Sequence, residues 1–159
     1  PAYLKKNIKG DSINEYIFHL FLSYLHDAGK IDSLSVGSNT INEAMISTVL
    51  LLPKLAEKSP EDLPQASWML TNGSELFMLT TVSKVYFKQQ LGLLRCARCS
   101  DMTATPSQDP HYISHPNLKY ACVVMGDHTG FAEDTAFTHV PNRTVLTMNQ
   151  SGEVASRSF

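Results

Sequence analysis

From Ile13 to Leu25 the apolar residues return every third or fourth position: Ile13, Tyr16, Ile17, Leu20, Phe21, Tyr24 and Leu25. That recurrence predicts a helix with one strongly apolar side. Ser12 followed by Glu15 suits a capping box, and Gly29 stands where a left-handed residue would close the helix. Phe18 and Leu22 widen the apolar arc beyond the ~100° stripe of an ordinary surface helix. Only Glu15, His19, Ser23 and His26 remain as a polar strip. Such a helix is either central to its domain or half of an interface. Tyr16, Ile17, Leu20, Phe21 and Tyr24 are the candidate interface residues.

A loop over residues 32–39, "DSLSVGSN", precedes a second predicted helix with Thr40 and Glu43 as its capping pair. Ile41, Ala44, Met45, Thr48 and Leu52 give it one face, and Pro53 kinks it or ends it near Leu52. Ser59-Pro60-Glu61 reads as a third helix start, with Ser as N-cap and Pro at the first helical position. This helix carries Trp68 and stops at Asn72-Gly73. A fourth is read over "ELFMLTTVSKVYFKQQLG" by its length, although Thr80, Thr81, Val82, Val85, Tyr86 and Phe87 favour strand.

Beyond Gly92 the pattern changes. "LLRCARC" suits a short strand, "SDMTATPSQDPHYISHPN" an ordered loop, and "LKYACVVMG" a buried strand. "RTVLTMNQSGEVASRSF" predicts a hairpin turning around Asn149 to Gly152. The expected fold is α+β and a single domain over residues 1–159. A helical N-terminal half of three to four helices (1–92) packs against a smaller β-rich part with a hairpin (93–159).

Composition adds one point to this picture. Of 159 residues 43% are hydrophobic and 18% are charged, against roughly 25% charged in typical soluble domains. The deficit predicts a surface covered by a partner or by a copy of the chain. The net charge is −2, and the one basic cluster is Lys5, Lys6 and Lys9. Tight phosphate-backbone binding needs more clustered cations, so nucleic acid is not required as a partner. Three cysteines make no disulfide framework, which predicts a reducing, cytoplasmic setting. Asp11 and Glu15 interrupt the N-terminal "KKNIKGDSINEYIFHLFLSYL" as a signal peptide. No stretch approaches the ~18 apolar residues of a membrane span.

The candidate chemistry lies in the second half. "CARCSDMTATPSQDPHYISH" reads as C-x2-C-x11-H-x3-H, offering Cys96, Cys99, His111 and His115 as tetrahedral zinc ligands. Its linker lacks the apolar anchors of a C2H2 finger, and His115 precedes Pro116, which disfavours helix there. An irregular zinc site remains, with Cys122 and His128 as further donors. "CVVMGDHTGFAED" sets Asp127 and His128 at the end of a predicted strand, a place where enzymes hold metals. This stretch of about a dozen residues resembles the strand–Asp–His–Gly element of the alkaline-phosphatase superfamily. The resemblance implies Asp127 and His128 as metal ligands and His139 as a further one. It departs from that element at Thr129, which separates His128 from Gly130.

Neither a G-x-S-x-G elbow, a P-loop nor a G-x-G-x-x-G turn occurs. The expected function is therefore a non-enzymatic interaction or self-assembly protein of scaffold or coat type, associating through apolar helix faces. Its cofactor is none or one structural zinc. The alternatives are a metal-dependent hydrolase using the Cys/His/Asp residues of 96–139 and a zinc-stabilised nucleic-acid-binding module.

Overall fold

A computed structural model describes residues 6–10, 12–33, 35–59, 64–82, 84–93, 115–125 and 137–159, with 90–93 and 115–125 as backbone alone. These residues carry helices α1 (Ile13–Asp27) and α2 (Ser38–Leu55). Seven strands follow: β1 (Ser67–Thr71), β2 (Glu75–Thr80), β3 (Val85–Leu93), β4 (His115–Met125), β5 (Thr138–Val140), β6 (Thr144–Asn149) and β7 (Val154–Ser158). The chain divides into two compact units.

This corrects the expected helical N-terminal half of three to four helices. Of the segment read as a third helix, Ser67–Thr71 is β1 and residues 60–63 lie outside the described residues, while the fourth is β2 and β3. Asn72-Gly73, taken as a helix stop, is the turn of the β1–β2 hairpin. Gly73 adopts φ +91°, open to glycine and strained for other residues. The Asn72 Oδ1 accepts the Ser74 and Glu75 backbone N–H groups at 3.0 and 2.8 Å, an Asx turn that fixes the reversal. Tertiary pairing then settles a segment whose apolar residues fitted neither period cleanly.

In the first unit a four-stranded antiparallel sheet has the order β1-β2-β6-β7. Its register aligns Trp68, Leu79, Val145 and Arg157 in one transverse row. Leu70, Phe77, Thr147 and Ala155 align two residues away, on the same face because side chains alternate. This face meets the helices. Phe77, Leu79 and Val145 form one core cluster with Phe21 and Leu25 of α1 and Ile41, Ala44, Met45, Ile46 and Val49 of α2. Trp68, Leu70 and Phe159 pack at its margin. Asn42 reaches from α2 into this sheet face, donating its Nδ2–H to the Thr147 hydroxyl at 3.1 Å.

On the opposite face Met78 and Leu146 are buried. Beside them Ser67, Thr80, Thr144 and Ser158 form a row of hydroxyls across all four strands. Ser67 donates to the Thr80 hydroxyl at 3.0 Å, whereas the buried Thr144 hydroxyl has no partner among the described residues.

α1 ends as its sequence predicts. Gly29 takes φ +66°, and the Lys30 N–H reaches back to the Leu25 carbonyl at 2.8 Å, a Schellman closure. Its start differs. The Ser12 side chain makes no cap bond; Glu15 instead accepts the backbone N–H groups of Lys9 and Gly10, each at 2.9 Å. α2 likewise begins before Thr40, at Ser38. The Ser38 hydroxyl donates to the Glu75 carboxylate at 2.7 Å, linking the helix start to β2. Pro53 sits inside the last turn of α2 and does not end it.

The second unit holds a three-stranded antiparallel sheet of order β4-β3-β5. The predicted strand "LKYACVVMG" is most of β4, paired along β3 with a register shift between Leu91 and Leu93. The predicted C-terminal hairpin is β6–β7, its turn containing Gly152 at φ +80°. No helix among the described residues is long and apolar enough to cross a membrane.

Candidate functional site

α1 supplies the most exposed apolar surface of the first unit. Of its residues only Phe21 and Leu25 are buried. Ile13 and Phe18 are 66% and 52% exposed, and Tyr16 is also exposed. Phe18 stacks on Phe21 with ring centres 6.2 Å apart, so an exposed ring extends directly from a core ring. Beside it runs β1, whose Met69 is 60% exposed on the sheet face opposite the helices. Between the two elements lies a groove of about 250 Å³ lined by Asn14, Ile17, Phe18, Phe21, Ser67, Trp68, Met69 and Leu70. None of these side chains is charged.

Among the described residues β1 is also an edge strand of its sheet. Its pairing with β2 fixes which backbone groups face outward. The Asn72 N–H bonds the Glu75 carbonyl, and the Thr81 N–H bonds the Ala66 carbonyl at 2.9 Å. In an antiparallel ladder the hydrogen-bonding groups alternate along the strand. Even-numbered residues therefore point their N–H and C=O toward β2. Those of Ser67, Met69 and Thr71 point to the open side, where no described strand pairs with them.

The polar strip of α1 is tied to its own helix. The His19 Nδ1 lies 2.9 Å from the Glu15 carbonyl oxygen, and the Ser23 hydroxyl donates to the His19 carbonyl at 2.9 Å. The Lys9 backbone N–H holds the Glu15 carboxyl below its ordinary value; desolvation opposes this, and the Gly10 N–H and the nearby Lys9 side chain add to the lowering.

The expected interface residues divide. Phe21 is core, Ile17, Leu20 and Tyr24 are half-buried, and Tyr16 is exposed. Sequence reasoning missed Met69, because nothing in "SWMLT" says that β1 has a neighbour on one side only. Self-assembly through the first two helices is corrected: Phe21, Leu25 and the buried face of α2 pack on the sheet of their own chain.

Of the expected metal ligands, Cys96, Cys99, His111, Asp127 and His128 lie outside the described residues. His115 opens β4, its backbone paired with Leu93, and Cys122 pairs in register with Lys88. His139 is exposed on β5, with its ring 5.4 Å from that of Tyr86. On the adjoining residues the Lys88 ammonium lies 5.3 Å from the centre of the Phe137 ring. Among the described residues no group of three or more His, Cys, Asp or Glu could hold a metal ion. That finding does not reach Cys96, Cys99, His111, Asp127 or His128, so it lends the zinc expectation no support and does not test it.

No protein-family model and no curated protein sequence matches the chain. Among solved structures it is similar to a glutamine aminotransferase class-II domain protein from Silicibacter pomeroyi. The TM-score is 0.51 at 16% identity, over 100% of this chain and 55% of that one. The likeness is one of fold. The chain spans little more than half the length of that protein.

Proposed function

We propose that this chain is the framework part of a glutamine-handling domain of the glutamine aminotransferase class-II kind. It is not catalytic by itself and works by receiving further polypeptide along the α1–β1 groove. The observation that carries this reading is the fold likeness over the whole chain against 55% of that protein. That protein's chain is longer than this one, and the exposed Phe18 and Ile13 offer further polypeptide an apolar seat.

The polar side chains support a framework role. Ser38 is bonded to Glu75, Asn42 to Thr147, and His19 and Ser23 lie against carbonyls of their own helix. They brace one element against another or against itself rather than converging on a cleft. Burial of apolar surface, at roughly 25 cal/mol per Å², is then the force that holds the added polypeptide.

The test is consumption of L-glutamine, followed as glutamate formed. The protein isolated from its native source is expected to consume it, and the 159-residue chain alone to leave it untouched. Phe18→Asp in the native protein is expected to lower the rate without unfolding the first unit. A native protein inert toward glutamine overturns the glutamine reading. Turnover by the isolated chain overturns the framework reading.

A further inference from the structure

Of the chain's eight asparagines, one precedes a glycine: Asn72, in the β1–β2 turn. We propose that Asn72-Gly73 is a self-modifying site. The Asn72 side chain cyclises onto the Gly73 nitrogen, and the ring then opens with water to aspartate and isoaspartate. The sequence makes the attack sterically open, because the nucleophilic nitrogen belongs to a residue without a side chain. Among the described residues nothing stands within 4 Å of where a Gly73 Cβ would be. Both residues are exposed.

The turn supplies what the reaction needs beyond the sequence. Three donors converge on the Asn72 Oδ1: the Ser74 N–H at 3.0 Å, the Ser74 hydroxyl at 3.0 Å and the Glu75 N–H at 2.8 Å. This is the oxygen that gathers negative charge when Cγ becomes tetrahedral, so the three bonds strengthen as the attack proceeds. At the other end of the carboxamide, Nδ2 lies 3.5 Å from the Val36 carbonyl oxygen and 3.5 Å from the Glu75 Oε2. The departing nitrogen therefore leaves beside a carboxylate, which stabilises it as ammonium. The Gly73 N–H donates to the Thr71 hydroxyl oxygen at 3.0 Å, which fixes the nucleophile within the turn.

The chemistry balances with water alone. The Gly73 nitrogen gives its proton to hydroxide and forms the N–Cγ bond, and the carbonyl electrons pass to Oδ1. Their return breaks the Cγ–Nδ2 bond, and ammonia leaves with a proton taken from water. Water then adds to one of the two ring carbonyls. Breaking the new N–Cγ bond gives aspartate. Breaking the original peptide bond gives isoaspartate, with the main chain rerouted through the former side chain. That product adds a methylene to the turn and removes the shared acceptor of Ser74 and Glu75. It also sets a second carboxylate near Glu75, which holds Ser38 at the start of α2. The conversion thus loosens, one way only, the link between the hairpin and α2.

Peptide mapping by mass spectrometry, with aspartate and isoaspartate separated by chromatography, follows the reaction in the 159-residue chain at neutral pH. A free peptide of residues 68–77 in the same buffer is the reference. The folded chain is expected to convert about ten-fold faster, a small part of what one such donor contributes in a water-excluded site. A folded chain that converts no faster than the peptide overturns the inference. Ser74→Ala removes one of the three donors and leaves both backbone N–H groups. It is expected to slow the folded chain about three-fold and the peptide not at all. Ser74→Thr replaces the hydroxyl and is expected to restore the rate. Equal slowing of chain and peptide, no slowing, or a rate that stays low in Ser74→Thr shows that the Oδ1 donors do not drive the reaction, and the inference fails.

Discussion

The two helices of the first unit invert what their sequences promise. α1 is apolar around most of its circumference and buries two residues; α2 is the more mixed helix and buries eight, including Asn42 and Thr48. Position explains the difference. α2 lies against the centre of the sheet, where β2 and β6 present Phe77, Leu79 and Val145, and its polar residues find partners there. Thr48 bonds the Ala44 carbonyl at 2.7 Å. α1 packs against α2 with Phe21 and Leu25 and runs beside the edge strand β1, leaving Ile13, Tyr16 and Phe18 outside. Hydrophobicity measures how much a helix gains by being covered. Neighbours decide whether it is covered.

The sharpest break of this comparison is a matched pair of truncations in the 159-residue chain. Met45 is fully buried on α2, and Met45→Ala is expected to cost about 2–5 kcal/mol, transfer and cavity together. Phe18→Ala on α1 is expected to stay within about 0.5 kcal/mol, as for a surface site. Urea unfolding of the two variants decides it. Equal losses mean that the Phe18 ring is already covered within the chain. Phe21→Asp belongs with Met45. At 5% exposure it places a charge in the core and is expected to unfold the unit rather than release a partner.

Next in size is the polar clip between α2 and the sheet. Asn42→Ala leaves the Thr147 hydroxyl without its bond in a mostly buried place, at a cost of about 1–3 kcal/mol. Removing both partners in Asn42→Ala/Thr147→Val is expected to cost less than the two single changes summed. Additive losses in a double-mutant cycle show that the contact contributes nothing of its own.

The hydroxyl row on the other sheet face carries the opposite sign. The Thr144 hydroxyl is buried without a partner among the described residues. Thr144→Val removes a desolvated polar group at nearly constant shape and is expected to stabilise the chain by about 1 kcal/mol. Thr80→Val, by contrast, deprives Ser67 of its acceptor and is expected to destabilise. A loss of stability in Thr144→Val assigns that hydroxyl a bond and sinks the contrast.

These residues also show how far the chain could be read in advance. α1, its Gly29 closure, β4 and the β6–β7 hairpin have local signals: a 3.6-residue period, a left-handed glycine, an apolar β-branched run and a turn between alternating segments. β1 and β2 do not. "ELFMLT" is apolar on both sides because Phe77 and Leu79 are buried on one sheet face and Met78 on the other, which erases the strand period. Asn72-Gly73 serves equally as a helix stop and as a hairpin turn. The groove was half legible. Ile17 and Phe21 stood out by helical spacing, and Phe18 only widened the arc. Met69 was invisible, since an edge is defined by the strand that is not beside it.

The smallest effect lies at the start of α1, where burial plays little part. Glu15 accepts the Lys9 and Gly10 N–H groups, bonds that favour its ionised form and lower its pKa from 4.5. The unfolded chain therefore takes up this proton at higher pH than the folded one, and stability rises with pH through the window between the two values. The contribution is fully present above the unfolded value of about 4.5 and is lost as pH falls through the lower folded one. Glu15→Gln keeps the shape and removes the titration. Its stability deficit against the parent is expected to be constant at neutral pH and to shrink below the ordinary carboxylate range. Tryptophan fluorescence of Trp68 reports the unfolding midpoint at each pH. A deficit that persists unchanged into acid shows that it does not come from the Glu15 charge, and the titration account fails.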